Sequence, residues 1–368
     1  MNGQPSFRLG YVPALDGLRG VAVLAVMAVH FKVPFARGGF LGVDIFFVLS
    51  GFLITSLLVS EWQRTGRISL KHFYARRALR LLPALGLLLA ALSPVVPLLQ
   101  IVATLAYLAN WVIAFGALPM TSGPLGHTWS LSIEEQFYLL WPLCLVLLLG
   151  SRLPSRLFPL IPLALALVES ALRLGLFYAV APWPRIYYAT DTHADGILVG
   201  SAVALAVAFG RMPRSPAWQR VVHAVAALFA VSLLYLLVDS APFLGPNAAW
   251  LLVHIILPLF PVGVAALILS VVVYPSRVAS LFLGLPPLVL LGRVSYGLYL
   301  WHLPVHFFLD GLGIAAGTPE GTTLRILVSC AIAAISYRYV ESPALRLKDR
   351  LRASVRPQGN ASPKTVPS

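Results

Sequence analysis

Ten long apolar runs constrain this chain more than any other feature. They fall at Ala14–Phe31, Phe40–Val59, Ala78–Leu99, Ile133–Leu149, Leu157–Phe177, Ala194–Phe209, Val221–Val238, Trp250–Val273, Pro287–Leu309 and Thr322–Tyr339. Each approaches the length of about 20 residues that a helix needs to cross a bilayer. Backbone polar groups in lipid must be satisfied within the segment, which leaves helices or closed barrels. Runs of this length specify helices. Apolar residues make up 59% of the 368 and charged residues 11%, against about a quarter charged in soluble domains. A soluble globular enzyme, a disordered chain and a fibrous protein are excluded. The fold class is all-α, a polytopic membrane bundle of about ten transmembrane helices.

An eleventh run, Ile101–Leu118, is apolar but shorter and follows Pro94 and Pro97. Charge decides whether it crosses. If it does not, and the N-terminus is inside, nineteen Lys and Arg lie on the inner side and only Lys32, Arg37 and Arg185 on the outer. If it does cross, Arg152, Arg156, Arg211, Arg214, Arg220, Arg277 and the C-terminal basic residues move outside, which the positive-inside rule rejects. Ile101–Leu118 is therefore expected to be a re-entrant or outer-surface helix, with both termini cytoplasmic. The net charge of +14 reads as loop charge facing the cytoplasm and implies a bilayer rather than nucleic acid as partner. Residues 346–368 read as a short, basic, disordered cytoplasmic tail. Cys144 and Cys330 both lie in apolar runs, so neither a disulfide framework nor a cysteine-based metal site is expected.

Ionisable residues within spans are costly, so each is a functional candidate with a structural alternative. Arg19 and His30 stand 11 residues apart in the first run, about 16 Å along one helix face. Taken singly, Arg19 reads as an arginine snorkelling to the inner headgroups and His30 as a hydrogen-bonded interface histidine. Phe73–Pro83 holds Arg76, Arg77 and Arg80, the last two i and i+3 on one face. Paired guanidiniums suit a phosphate, and the plain alternative is a basic inner flank. In His127–Pro142, Glu134 and Glu135 begin a span at its outer end, and Glu134 and Tyr138 share a face. The plain reading is a helix start favoured by the dipole, with Ser130 or Ser132 as cap. The functional reading pairs Glu134 with His30, since a carboxylate holds an imidazole in its working tautomer. Asp44 lies in a glycine-rich stretch suited to close helix approach, where it could neutralise Lys32 or Arg37. Asp191, His193 and Asp195 read as helix capping before metal binding. Tyr296, Tyr299 and His302 line one side of the ninth run, which alone reads as an aromatic packing stripe. No hydrolase, P-loop, dinucleotide or zincin motif is present.

Together these segments resemble the membrane-bound acyltransferase-3 family, whose members O-acylate cell-surface sugars and some small molecules. The resemblance rests on Arg19-x10-His30, Gly42–Phe52, Phe73–Pro83, Trp129–Tyr138, Ser295–His302 and Glu341-Ser-Pro343, in that order. It implies a membrane acyltransferase domain over 11–345 and a stand-alone member without a C-terminal SGNH domain. It also implies an acyl-CoA donor, by default acetyl-CoA, bound from the cytoplasm, with no metal. The acceptor would be a hydroxyl of a cell-surface or lipid-linked glycan on the outer face of a bacterial inner membrane. Carried over, Arg77 and Arg80 match the cytoplasmic Arg-x-x-Arg, with Arg76 and Arg19 as further donor-binding residues. His30 and Glu134 are the expected catalytic pair. Asp44, Tyr138, Tyr296, Tyr299 and His302 are supporting residues. One departure is His193, where many relatives carry an arginine. The rival class is a proton-coupled transporter, which also uses intramembrane Arg, His and carboxylates. No internal repeat or paired broken helices favour it.

Overall fold

The computed structural model describes residues 7–239 and 247–346, and these are helical, with no strand among the described residues. The main helices in chain order are α1 (Pro13–His30), α2 (Gly42–Thr65), α3 (Leu70–Leu92), α4 (Leu98–Leu105) and α5 (Ala109–Ala114). There follow α6 (Thr128–Gly150), α7 (Leu160–Tyr178), α8 (Asp195–Ala208) and α9 (Pro216–Val238). The last four are α10 (Leu257–Val272), α11 (Pro286–Arg293), α12 (Ser295–Gly311) and α13 (Pro319–Ser336). Each of the ten apolar runs contains most of one of the longer helices, so the chain is an all-α polytopic membrane bundle. Seven helical stretches among the described residues are long and apolar enough to cross a membrane. The expected tail, Arg346 apart, lies outside the described residues.

Three departures from expectation bear on the site. The third run was expected over Ala78–Leu99, but its helix is α3, Leu70–Leu92. Arginine interrupts hydropathy without interrupting helicity, since Arg and Ala are both good helix formers. Arg76, Arg77 and Arg80 therefore sit within a helix rather than on its flank. The ninth run divides at Val294, and only α12 is long, because α11 starts afresh at Pro286. Ile101–Leu118 gives α4 and α5, of 8 and 6 residues. Neither can span about 30 Å at 1.5 Å per residue. They pack against α6, where the Gln136 amide donates to Tyr107 O at 2.7 Å and Asn110 Oδ1 at 2.9 Å.

The glycine-rich stretch does bring helices together. On α2, a Cβ at Gly51 would lie 1.9 Å from Ile197 O. On α8, one at Gly200 would lie 2.0 Å from Val48 O. Alanine at either site would force α2 and α8 apart. This contact buries the face of α2 that carries Asp44 and leaves the Ser50 side turned to α6.

Candidate functional site

Two cavities lie within the bundle. The narrower is lined by Arg19 of α1, Ser50 of α2, Arg77 and Arg80 of α3, Glu134 and Tyr138 of α6, and Ser295, Tyr296 and Tyr299 of α12. Arg77 and Arg80 reach one cavity because i and i+3 on α3 share a face. Arg19 donates to Ser295 Oγ through Nε at 3.3 Å and Nη2 at 3.0 Å. The Arg77 guanidinium lies over the Tyr138 ring, 3.7 Å from its centroid, and its buried Nε has no hydrogen-bond partner. Glu134 accepts from Ser50 Oγ and from Tyr138 Oη at 3.4 Å. Three guanidiniums and one carboxylate leave this cavity with a cationic excess. Tyr296 closes its side by donating to Leu81 O at 2.9 Å.

The wider cavity, about 310 Å³, is lined by His30 and Lys32 at the end of α1, His127 and Trp129, Tyr188, and Leu303, His306 and Phe307 of α12. A thin layer separates it from the first. Tyr299 Oη donates to His127 O at 3.1 Å and lies 2.5 Å from Ser130 Oγ. His302 lies behind His30, with Nε2 3.1 Å from His30 Nδ1 and Nδ1 2.7 Å from Tyr299 O. His30 Nδ1 is also 2.9 Å from Val26 O. That carbonyl can only accept, so Nδ1 carries the proton and Nε2 of neutral His30 keeps a lone pair. A neutral imidazole with one unprotonated nitrogen can take a proton from a hydroxyl.

The structure brings together most of the residues singled out from the sequence, but in two groups. Arg19, Arg77, Arg80, Glu134, Tyr138, Tyr296 and Tyr299 share the narrow cavity. His30 is in the wide one, and Glu134 is not beside it; the side chain that His30 meets is His302. Arg76 points away and pairs with Glu61 at 3.5 Å. Asp44 neutralises neither Lys32 nor Arg37. Its Oδ1 lies 3.0 Å from His193 Nε2, both side chains buried. Ion pairs hold the segment that leads into α8. Asp191 pairs with Arg185 at 2.6 Å and Asp195 with Arg173 at 2.8 Å. No Ser caps α6, because the helix begins at Thr128 and places Ser130, Ser132 and Glu134 inside it.

Two fully buried arginines went unremarked in the sequence reading. Arg173 holds Asp195 and Thr192 O. Arg325 holds Asp310, His306 Nδ1 at 3.1 Å and Ile314 O at 2.8 Å. Both lie inside apolar runs, and that alone was a signal for them. His306, on the wall of the wide cavity, was missed for a different reason. It follows His302 by one turn of an aromatic-rich helix and only tertiary packing turns it inward.

The family model described as an acyltransferase domain matches residues 12–337. The chain is 32% identical over 351 residues to the O-acetyltransferase OatA of Staphylococcus aureus, covering 90% of this chain and 57% of that one. It is 34% identical over 356 residues to the peptidoglycan O-acetyltransferase OatA of Listeria monocytogenes, covering 90% of this chain and 56% of that one. The chain thus spans about half the length of the curated relatives it matches. No solved structure matches it. The match runs through every segment that lines the two cavities, and the chain belongs to the membrane-bound acyltransferase-3 family.

Proposed function

We propose that the protein is an integral membrane O-acyltransferase that moves an acyl group, by default acetyl, from acyl-coenzyme A to a hydroxyl of a cell-wall glycan. The donor enters from the cytoplasm, both termini lie on that side, and the membrane is a bacterial cytoplasmic membrane. The peptidoglycan specificity in the name of the Listeria relative supports a cell-wall acceptor. The observation that carries the reading is the pair of cavities meeting at the Tyr299–Ser130–His127 layer. One is narrow and lined by three arginines; the other is wide and lined by imidazoles and aromatic rings.

The chemistry follows from that division. Guanidiniums bind phosphate oxygens with paired N–H donors, so the arginine cavity suits the phosphate-rich donor. A narrow passage suits a linear pantetheine arm. Trp129, Tyr188 and Phe307 offer flat apolar walls, and His30 Nε2 offers a base. In the net reaction the acceptor oxygen bonds to the acyl carbon and the carbon–sulfur bond breaks. The hydroxyl proton goes to His30 Nε2, coenzyme A leaves as a thiolate, and the imidazolium passes its proton through water to that thiolate, which restores the neutral base. Glu134 stands among the arginines, so its proposed work is to hold their geometry and offset their mutual repulsion. Tyr299 must move for the thioester to meet the acceptor.

Mass spectrometry of cell-wall glycans, with and without the protein, tests the reading. Loss of acetylated sugars without the protein is the expected result. Unchanged glycan acetylation, with no release of acetate from acetyl-CoA by the detergent-solubilised protein, would favour a carrier instead.

A further inference from the structure

We propose that His302 is a positioning residue that sets the ring rotation of His30, whose tautomer Val26 O already fixes, and so aims its basic nitrogen at the acceptor. This inference rests on the proposed role of His30 as base. Three contacts determine the proton arrangement. Tyr299 O and Val26 O are carbonyls and can only accept. His302 Nδ1, 2.7 Å from Tyr299 O, therefore carries a proton. His30 Nδ1, 2.9 Å from Val26 O, does so too. With both rings neutral, His302 Nε2 is bare and accepts from His30 Nδ1–H at 3.1 Å. The opposite tautomer of either ring would set a lone pair against a carbonyl oxygen in a buried site, which is unfavourable. A single assignment satisfies all three contacts, with the His30 Nδ1–H shared between Val26 O and His302 Nε2, and it leaves the lone pair on His30 Nε2.

Burial separates the two roles. His302 is wholly buried, and it does not line the wide cavity, whereas His30 does. His302 thus cannot touch an acceptor and acts only through His30. Packing holds it in place: its ring lies 5.2 Å from that of His127 and 6.3 Å from that of Phe31. Without His302, the Nδ1–H of His30 keeps only Val26 O, and the ring loses the partner that sets its rotation.

The test compares His302→Leu, which fills similar space without an acceptor, with His302→Gln, whose side-chain carbonyl can accept from His30. His30→Ala is measured alongside. Turnover is taken per folded molecule, with acetyl-CoA as donor. We expect His302→Leu to lower kcat by about 10- to 100-fold, by analogy with the loss of orienting partners of metal-bound histidines. The KM for acetyl-CoA should hold, because His302 does not line the arginine cavity. His302→Gln should recover most of the loss. Equal turnover in the Leu and Gln variants, or an unchanged kcat in His302→Leu, overturns the proposal. If His302→Leu does not fold, magnetic resonance of isotope-labelled histidines in the wild-type protein decides: a coupling across the hydrogen bond from His30 Nδ1–H to His302 Nε2 is expected, and its absence contradicts the proposal. An inactive His30→Ala beside an unaffected His302→Leu removes only this inference. A fully active His30→Ala removes the base assignment as well.

Discussion

His30→Ala should slow acyl transfer by about 10²- to 10⁴-fold, the usual consequence of losing a general base. Membrane insertion and acyl-CoA binding should survive, because His30 lies in the wide cavity and the arginines in the other. His30→Gln should not restore the rate: an amide keeps a hydrogen bond to Val26 O but cannot take a proton. A purely structural role predicts the opposite pattern, with less folded protein and normal turnover in what folds. Turnover per folded molecule separates the two. If His30→Ala retains it, the base must be sought at His127 or His306, the other imidazoles on that wall.

The second large effect is expected at the other cavity. Arg77→Ala and Arg80→Ala should each weaken acyl-CoA binding by roughly 10- to 100-fold, since a hydrogen bond to a charged group contributes about 1.5–3 kcal/mol. Arg77→Lys should recover part of this. It keeps the charge but loses the planar fork and the stacking over Tyr138. Arg76→Ala should have little effect, because Arg76 is engaged with Glu61 outside the cavity. Binding isotherms on the inserted, folded variants measure these affinities. An unchanged affinity in the Arg77→Ala, Arg80→Ala double variant would remove the donor assignment.

Much of this architecture was legible in the sequence for one reason: lipid admits few solutions. Apolar runs near the length of a bilayer crossing had to become helices: α1 lies where hydropathy places it, and α2 and α6 overlap their runs while extending several residues past one end. Hydropathy could not place the start of α3, since Arg76, Arg77 and Arg80 look like the edge of a span while extending a helix. The i, i+3 spacing did predict that Arg77 and Arg80 would share a face, because that is local geometry. The partners of each group were not legible. Asp44 and His193 are 149 positions apart, and nothing local joins them. His30 and Glu134 looked like neighbours from depth alone. Depth fixes one coordinate, and the packing of α2 against α6 fixes the others, turning Glu134 toward Ser50. The histidine that does meet His30 came from a helix 272 positions later, read beforehand as a packing stripe.

The central claim is that the donor and the acceptor reach one reaction point from opposite faces of the membrane. Sealed vesicles carrying the protein in one known orientation test it directly. Acetyl-labelled acetyl-CoA is supplied only on the face that carries Arg152 and Arg156, and cell-wall glycan fragments only on the other. The account predicts labelled glycan on the far side, lost in His30→Ala and in the Arg77→Ala, Arg80→Ala double variant. Label transfer only when both substrates share a face, or undiminished transfer in those variants, would contradict it.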